Sequence, residues 1–242
     1  MKREYHRWHS HNLQRDMELL VFGHAGAKVI MFPTRDGRFF EYEDIGIVGS
    51  LRAKVEAGQL QLYCIEGLAR ETFYNRHLTP PERLARHERF EAYVLDEVLP
   101  FAQARNAHDC VIAQGCSLGA FQASSLVFRH PDRFRKLVSF SARHDLTLTI
   151  EHFGDLLDGH RGDDVYFHMP THFLPGLACE ARLESLKALD IVLVVGKDDP
   201  FLESNQALSQ ILTDKEIPHR LHYWDGRAHR GGAWRRMAPL FI

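Results

Sequence analysis

Cys110-Val111-Ile112-Ala113-Gln114-Gly115-Cys116-Ser117-Leu118-Gly119-Ala120 decides how the rest of the chain is read. Cys110 to Ala113 is an apolar run and reads as a buried strand. Gly115-Cys116-Ser117-Leu118-Gly119 has the spacing G-x-S-x-G. Ala120 to Phe128 then has the composition of a helix. A strand that turns sharply into a helix crowds its own backbone, and glycines at positions 115 and 119 relieve that crowding. Ser117 is then held at the tip of a strained turn, and the helix start behind it offers free N–H groups to a developing oxyanion. Cys116 adjoins the serine, but only the central position of the pentapeptide is presented at the turn, so Ser117 is the candidate nucleophile. G-x-S-x-G by itself is a common turn, and it acquires a chemical meaning only with an acid and a histidine at suitable places later in the chain.

The 242 residues suffice for one α/β domain with a full core, and 45% hydrophobic with 26% charged residues describes a globular chain. A formal net charge of −2 gives no reason to expect nucleic acid or an anionic membrane as partner. The first residues lack the apolar segment of a signal peptide, and no apolar run approaches the length of a membrane span. Cys64, Cys110, Cys116 and Cys179 form no C-x-x-C pair, and Cys64 and Cys110 fall in predicted buried strands. They read as reduced cysteines, and the expected location is cytoplasmic.

Outward from the elbow, the remaining strands fall into place. Residues 5–9 and 16–22 predict an N-terminal hairpin. Lys28 to Phe32 is an apolar strand stopped by Pro33, and Thr34-Arg35-Asp36-Gly37-Arg38 is the loop after it. Ile45, Val48, Leu51 and Val55 recur at helical spacing. Leu60 to Ile65 is the next strand, and a long loop, Glu66 to Leu78, carries Phe73 and Tyr74. Thr79-Pro80-Pro81-Glu82 has the form of a helix start, with a capping threonine, proline at the first position and glutamate three residues on. That helix is predicted to run to about Arg105, kinked at Pro100. Strands are predicted at 136–141, 190–195 and 219–224, with helices at about 201–212 and 234–241. Residues 143–189 are irregular and read as a cap-like excursion over one edge of the sheet, ending in a helix. The sum is a single domain over residues 1–242: an eight-stranded, mostly parallel sheet with helices on both faces.

In such sheets, sites form at the C-terminal ends of the strands. Gly196-Lys197-Asp198-Asp199 lies there, after a buried strand, and offers Asp199 or its neighbour Asp198 as an acid, Asp199 being the first choice. Asp225-Gly226-Arg227-Ala228-His229 comes after the last strand. His229 is the candidate base, since His219 and His222 lie within that strand. Ser117, Asp199 and His229 thus succeed one another in the order Ser, Asp, His of an α/β-hydrolase fold. The backbone N–H of Leu118 is the first oxyanion donor. The second is expected from the loop at 34–38, where the flexible Gly37 favours Arg38 or Arg35. His6, His9 and His11 lack an acidic or cysteine partner at ligand spacing, so no metal is expected. Neither G-x-G-x-x-G nor a P-loop motif is present, so no nucleotide cofactor is expected.

Gly-Cys-Ser-Leu-Gly-Ala at 115–120, Gly-Lys-Asp-Asp-Pro-Phe at 196–201 and Ala228-His229 resemble the putative esterase (esterase D-like) family of α/β-hydrolases. Pro33-Thr34, the run Phe39 to Asp44 and Trp234 to Met237 extend the likeness over most of the chain. The family also includes mycolyltransferases and enterochelin esterases. The resemblance implies an esterase with Ser117, Asp199 and His229 as its triad. Ala120 stands where many members have a second glycine, and Arg230-Gly231-Gly232 departs from the bulky residues often found there, which touches the shape of the acyl pocket. The expected activity is a serine carboxylesterase acting on small esters of short to medium acyl chain. The alternatives are acyl transfer from the same intermediate and a hydrolase-fold protein that binds without catalysis.

Overall fold

A computed structural model describes all residues, Met1–Ile242. One sheet carries eight strands: β1 (Arg3–Ser10), β2 (Arg15–Phe22), β3 (Ala27–Phe32), β4 (Leu60–Ile65), β5 (Val111–Cys116), β6 (Lys136–Phe140), β7 (Asp190–Gly196) and β8 (Arg220–Trp224). Their order is β1-β2-β4-β3-β5-β6-β7-β8. The pairs β1/β2 and β2/β4 are antiparallel, and β4 through β8 run parallel. The sheet is therefore mixed, with the expected hairpin at its N-terminal edge.

The apolar runs are continuous because both faces are covered. On β3, Ile30 and Phe32 enter one core cluster while Val29 and Met31 enter the other. On β7, Ile191 and Leu193 alternate in the same way with Val192 and Val194. The first face is covered by α4 (Pro80–Tyr93), α5 (Leu99–Arg105), α6 (Leu118–Arg129), α8 (Pro170–Gly176), α9 (Glu180–Lys187) and α10 (Leu202–Asp214). The second is covered by α1 (Glu41–Asp44), α2 (Ile47–Ser50), α3 (Arg52–Glu56) and α11 (Gly231–Phe241). The helical stripe at 45–55 thus becomes two short helices, α2 and α3, set off from α1 where Gly46 takes φ +78°.

At Thr79 the predicted capping box forms: the Glu82 carboxylate accepts from the Thr79 N–H at 2.8 Å. Pro100 has no N–H to return to the preceding turn. The chain accommodates it by widening into a π turn over Val94–Val98. The excursion is less irregular than expected, since α7 (Asp163–His168), α8 and α9 all lie within it.

The chain runs from β3 outward to β4 and then returns to β5 on the other side of β3. The strand order reverses there, and the crevice beyond the strand ends at such a reversal is where open α/β sheets bind ligands. Ser117 comes directly after β5 and therefore stands at that crevice.

Candidate active site

The elbow is built by close backbone contact. A Cβ on Gly119 would lie 2.1 Å from the carbonyl oxygen of Phe32, and one on Gly115 would lie 2.2 Å from the backbone of Gly119. Both neighbours are main chain and cannot move aside, so only glycine lets α6 start this close to β3 and β5. Ser117 sits between them at φ 56°, ψ −120°, a strained conformation for a residue with a side chain. Its neighbour Cys116 points the other way, fully buried in the second core cluster. Burial raises that thiol to about 12, even with hydrogen bonds to Tyr42 and Gln114 pulling it down. It is a neutral core residue, not a thiolate nucleophile.

The loops after β7 and β8 meet in a second close approach. A Cβ on Gly196 would fall 2.3 Å from the carbonyl oxygen of Arg227. The Lys197 N–H donates to Trp224 O at 2.8 Å and the Asp198 N–H to Gly226 O at 3.2 Å. These bonds turn Asp198 out to solvent and Asp199 inward, where its side chain is 0% exposed. Asp199 Oδ1 accepts the Phe201 N–H at 3.0 Å.

The structure brings the three predicted side chains together. His229 Nε2 is 3.0 Å from Ser117 Oγ, and His229 Nδ1 is 3.1 Å from Asp199 Oδ2. Asp199 takes the position at His229, and the exposed Asp198 does not. The His229 ring is held edge-on between Phe201 and Trp234, each with its ring centroid 5.3 Å away. Trp234 is in turn tied to the Ser141 hydroxyl by its indole N–H at 3.3 Å. His222 lies in β8 with its ring against Phe241, and Ser117 Oγ is paired with His229 instead.

Leu118 opens α6, where the first N–H groups have no intrahelical acceptor. In the loop after β3, the Thr34 N–H is taken by Glu41 at 2.8 Å and the Gly37 N–H by Thr34 O at 3.0 Å. Arg35 lines the cleft over Ser117, whereas Arg38 does not. The Arg38 guanidinium is drawn away to Glu66 at 2.9 Å and Glu18 at 2.6 Å. The side chain of Arg38 thus points away from the cleft, while the second oxyanion donor proposed for this loop is a main-chain N–H of Arg38 or Arg35.

The cleft has a volume of about 440 Å³. Leu118, Leu146, Phe153, Leu156, Phe201 and Trp234 make its apolar wall. Of Phe73 and Tyr74 in the loop after β4, and Tyr166 and Phe167 in the excursion, only Tyr74 lines it. Phe73 is fully buried against Phe121, and Tyr166 and Phe167 are exposed elsewhere. Phe153, Phe201 and Trp234 take their place. The signal for two of them was local: Phe201 lies two residues past the acid and Trp234 five past the histidine.

A serine, a histidine and a buried aspartate thus lie within hydrogen-bonding reach of one another on an eight-stranded α/β-hydrolase sheet. The family model described as "Putative esterase" matches residues 66–236. The chain belongs to that family and is a carboxylic ester hydrolase. No curated protein matches it by sequence. Solved structures repeat the fold at low identity. A ferulic acid esterase is 18% identical with a TM-score of 0.76, over 97% of this chain and 94% of that one. An S-formylglutathione hydrolase from Agrobacterium tumefaciens is 15% identical with a TM-score of 0.73, over 98% and 91%. FphF, a fluorophosphonate-binding serine hydrolase of Staphylococcus aureus, is 14% identical with a TM-score of 0.72, over 99% and 97%. No helix is long and apolar enough to cross a membrane.

Proposed function

We propose that the protein is a serine carboxylesterase that hydrolyses esters of short to medium acyl chain through an acyl-enzyme on Ser117. The observation that carries this is His229, whose two ring nitrogens lie 3.0 Å from Ser117 Oγ and 3.1 Å from Asp199 Oδ2. Asp199 accepts the Nδ1–H and fixes the tautomer, which leaves Nε2 bare to take the serine proton. Ser117 Oγ then attacks the ester carbonyl, and the N–H of Leu118 together with one from the loop at 34–38, Arg38 or Arg35, receives the oxyanion. Collapse of the tetrahedral intermediate breaks the bond to the alcohol oxygen, which leaves with the proton returned by His229. Water repeats the sequence on the acyl-enzyme: His229 removes its proton, the acid is released and Ser117 Oγ is reprotonated.

The cleft supports the chain-length reading. It is modest, partly apolar, and flanked by loops rather than by a separate helical lid. Each methylene buried adds about 0.8 kcal/mol only while apolar wall remains. Nitrophenyl esters of about two to eight acyl carbons are therefore expected to be preferred, with activity absent from Ser117→Ala. A steady rise in kcat/KM out to palmitoyl esters would contradict the chain length. Equal rates for wild type and Ser117→Ala would contradict the mechanism.

A further inference from the structure

The cleft over Ser117 holds more positive than negative charge. Its charged side chains are Arg35, Asp36, Arg143 and Arg230. Arg35 and Asp36 answer one another, Arg35 Nε donating to Asp36 Oδ2 at 2.9 Å, and Arg70 adds a second cation to Asp36 at 3.3 Å. Arg143 and Arg230 have no carboxylate of their own.

Arg143 is 4% exposed. Its Nε donates to Asp145 O at 3.1 Å, and its Nη2 to Leu146 O at 3.1 Å, to Gly154 O at 3.0 Å and to the carbonyl of Leu148. Carbonyls satisfy the N–H groups without cancelling the charge, and burial pulls this guanidinium below its ordinary pKa. Nη1 donates to no protein group, yet it is not one of the fully buried unpartnered atoms. It therefore meets solvent, and the solvent space that Arg143 lines is the cleft. A purely structural staple for the excursion would account for Nε and Nη2 but not for the free Nη1.

Arg230 adjoins His229 and is exposed at the cleft wall. Its neighbours Arg227 and His229 pair with Glu151 and Asp199, whereas Arg230 has no ion pair. Two uncompensated guanidiniums, one almost dry and one beside the catalytic base, face one small cavity. Arginine forks match carboxylates closely, and a dry site strengthens the pairing.

We propose that Arg143 and Arg230 form a subsite for a carboxylate carried by the ester, so that the preferred substrates are monoanionic esters rather than plain alkyl ones. The carboxylate can sit on the acyl side, as in a half-ester of a dicarboxylic acid, or on the alcohol side. This rests on Ser117 being the nucleophile in the same cleft.

The test compares kcat/KM within two isosteric pairs. On the acyl side, the nitrophenyl half-ester of glutaric acid is set against the ester in which an isopropyl group replaces the carboxylate. On the alcohol side, carboxybenzyl butyrate is set against isopropylbenzyl butyrate. At least one pair should favour the anion by about tenfold or more, the scale of a charge-assisted pair. Arg230→Glu should abolish or invert that ratio, and Arg143→Met should reduce it. Because Arg143→Met removes a loop staple and can unfold the excursion, Arg230→Glu alone is decisive. A wild-type ratio at or below one in both pairs, or a ratio untouched by Arg230→Glu, overturns the subsite. If wild type but not Ser117→Ala cleaves the neutral esters without any anionic preference, only the subsite fails. If no ester of either kind is cleaved, the catalytic reading fails with it.

Discussion

Two of the molecule's histidine–aspartate pairs, His229–Asp199 and His172–Asp145, have buried carboxylates, and only the first adjoins the candidate nucleophile. His229 meets Asp199 through Nδ1 at 3.1 Å and so turns Nε2 toward Ser117. His172 meets Asp145 through Nε2 itself, at 2.8 Å, and no serine hydroxyl approaches its ring. The second pair has the shorter contact and a carboxylate that also receives the Thr147 N–H and hydroxyl at 2.8 and 2.6 Å. By contact distance alone it would be the stronger candidate. The difference teaches that an acid–histidine pair is a positioning device, and the chemistry lies in what the histidine's other nitrogen reaches.

The largest effect should separate the two pairs directly. His229→Ala is expected to lower kcat by roughly three or more orders of magnitude on a short nitrophenyl ester, as loss of a triad histidine does. Asp199→Asn should show a comparable loss, since the amide favours the wrong tautomer. His172→Ala and Asp198→Asn should each stay within about threefold of wild type, the margin of a change that touches no reacting group. A loss of the His229→Ala size in His172→Ala would dissolve the distinction between the pairs.

A smaller effect should appear in stability rather than rate. Burial alone would raise the Asp145 carboxyl, but hydrogen bonds from His172 and Thr147 outweigh it and leave the pKa below the ordinary aspartate value. A carboxylate depressed in the folded state stabilises the protein above its unfolded pKa, and that stabilisation disappears as pH falls through the folded one. Asp145→Asn should therefore lower Tm at neutral pH, and the gap to wild type should close as the pH is taken below the usual aspartate range of about 4. Thermal melts across acid pH check this. A gap that widens toward low pH would reverse the sign of the argument.

The fold was legible where the sequence carries a periodic or steric signature. Lys28 to Phe32 and Asp190 to Val195 are apolar on both faces because both faces are covered. Gly115 and Gly119 mark a backbone contact that no other residue permits. The candidate triad was legible from chain order, because three loops at one sheet edge bring distant residues together whatever lies between them. Asp199 could be separated from Asp198 only by burial, which depends on hydrogen bonds between the two loops. The second oxyanion donor is a main-chain group with no side-chain signature, so residue types could not order Arg38 and Arg35. Phe73, Tyr74, Tyr166 and Phe167 could not be sorted from residue type alone, because an aromatic in a long loop can anchor that loop, face solvent or line a site, and all three occur here. The buried Arg143 was hidden for a related reason: its partners are backbone carbonyls, which no residue pattern announces.

The central claim is that Ser117 is the covalent nucleophile, and active-site labelling tests it most directly. The protein is treated with a serine-reactive fluorophosphonate, digested, and mapped by mass spectrometry, with His229→Ala alongside. One label per chain on Ser117 in wild type, and little or none in His229→Ala, is the predicted result. A label on Cys116, or no label in a preparation that hydrolyses esters, would contradict it.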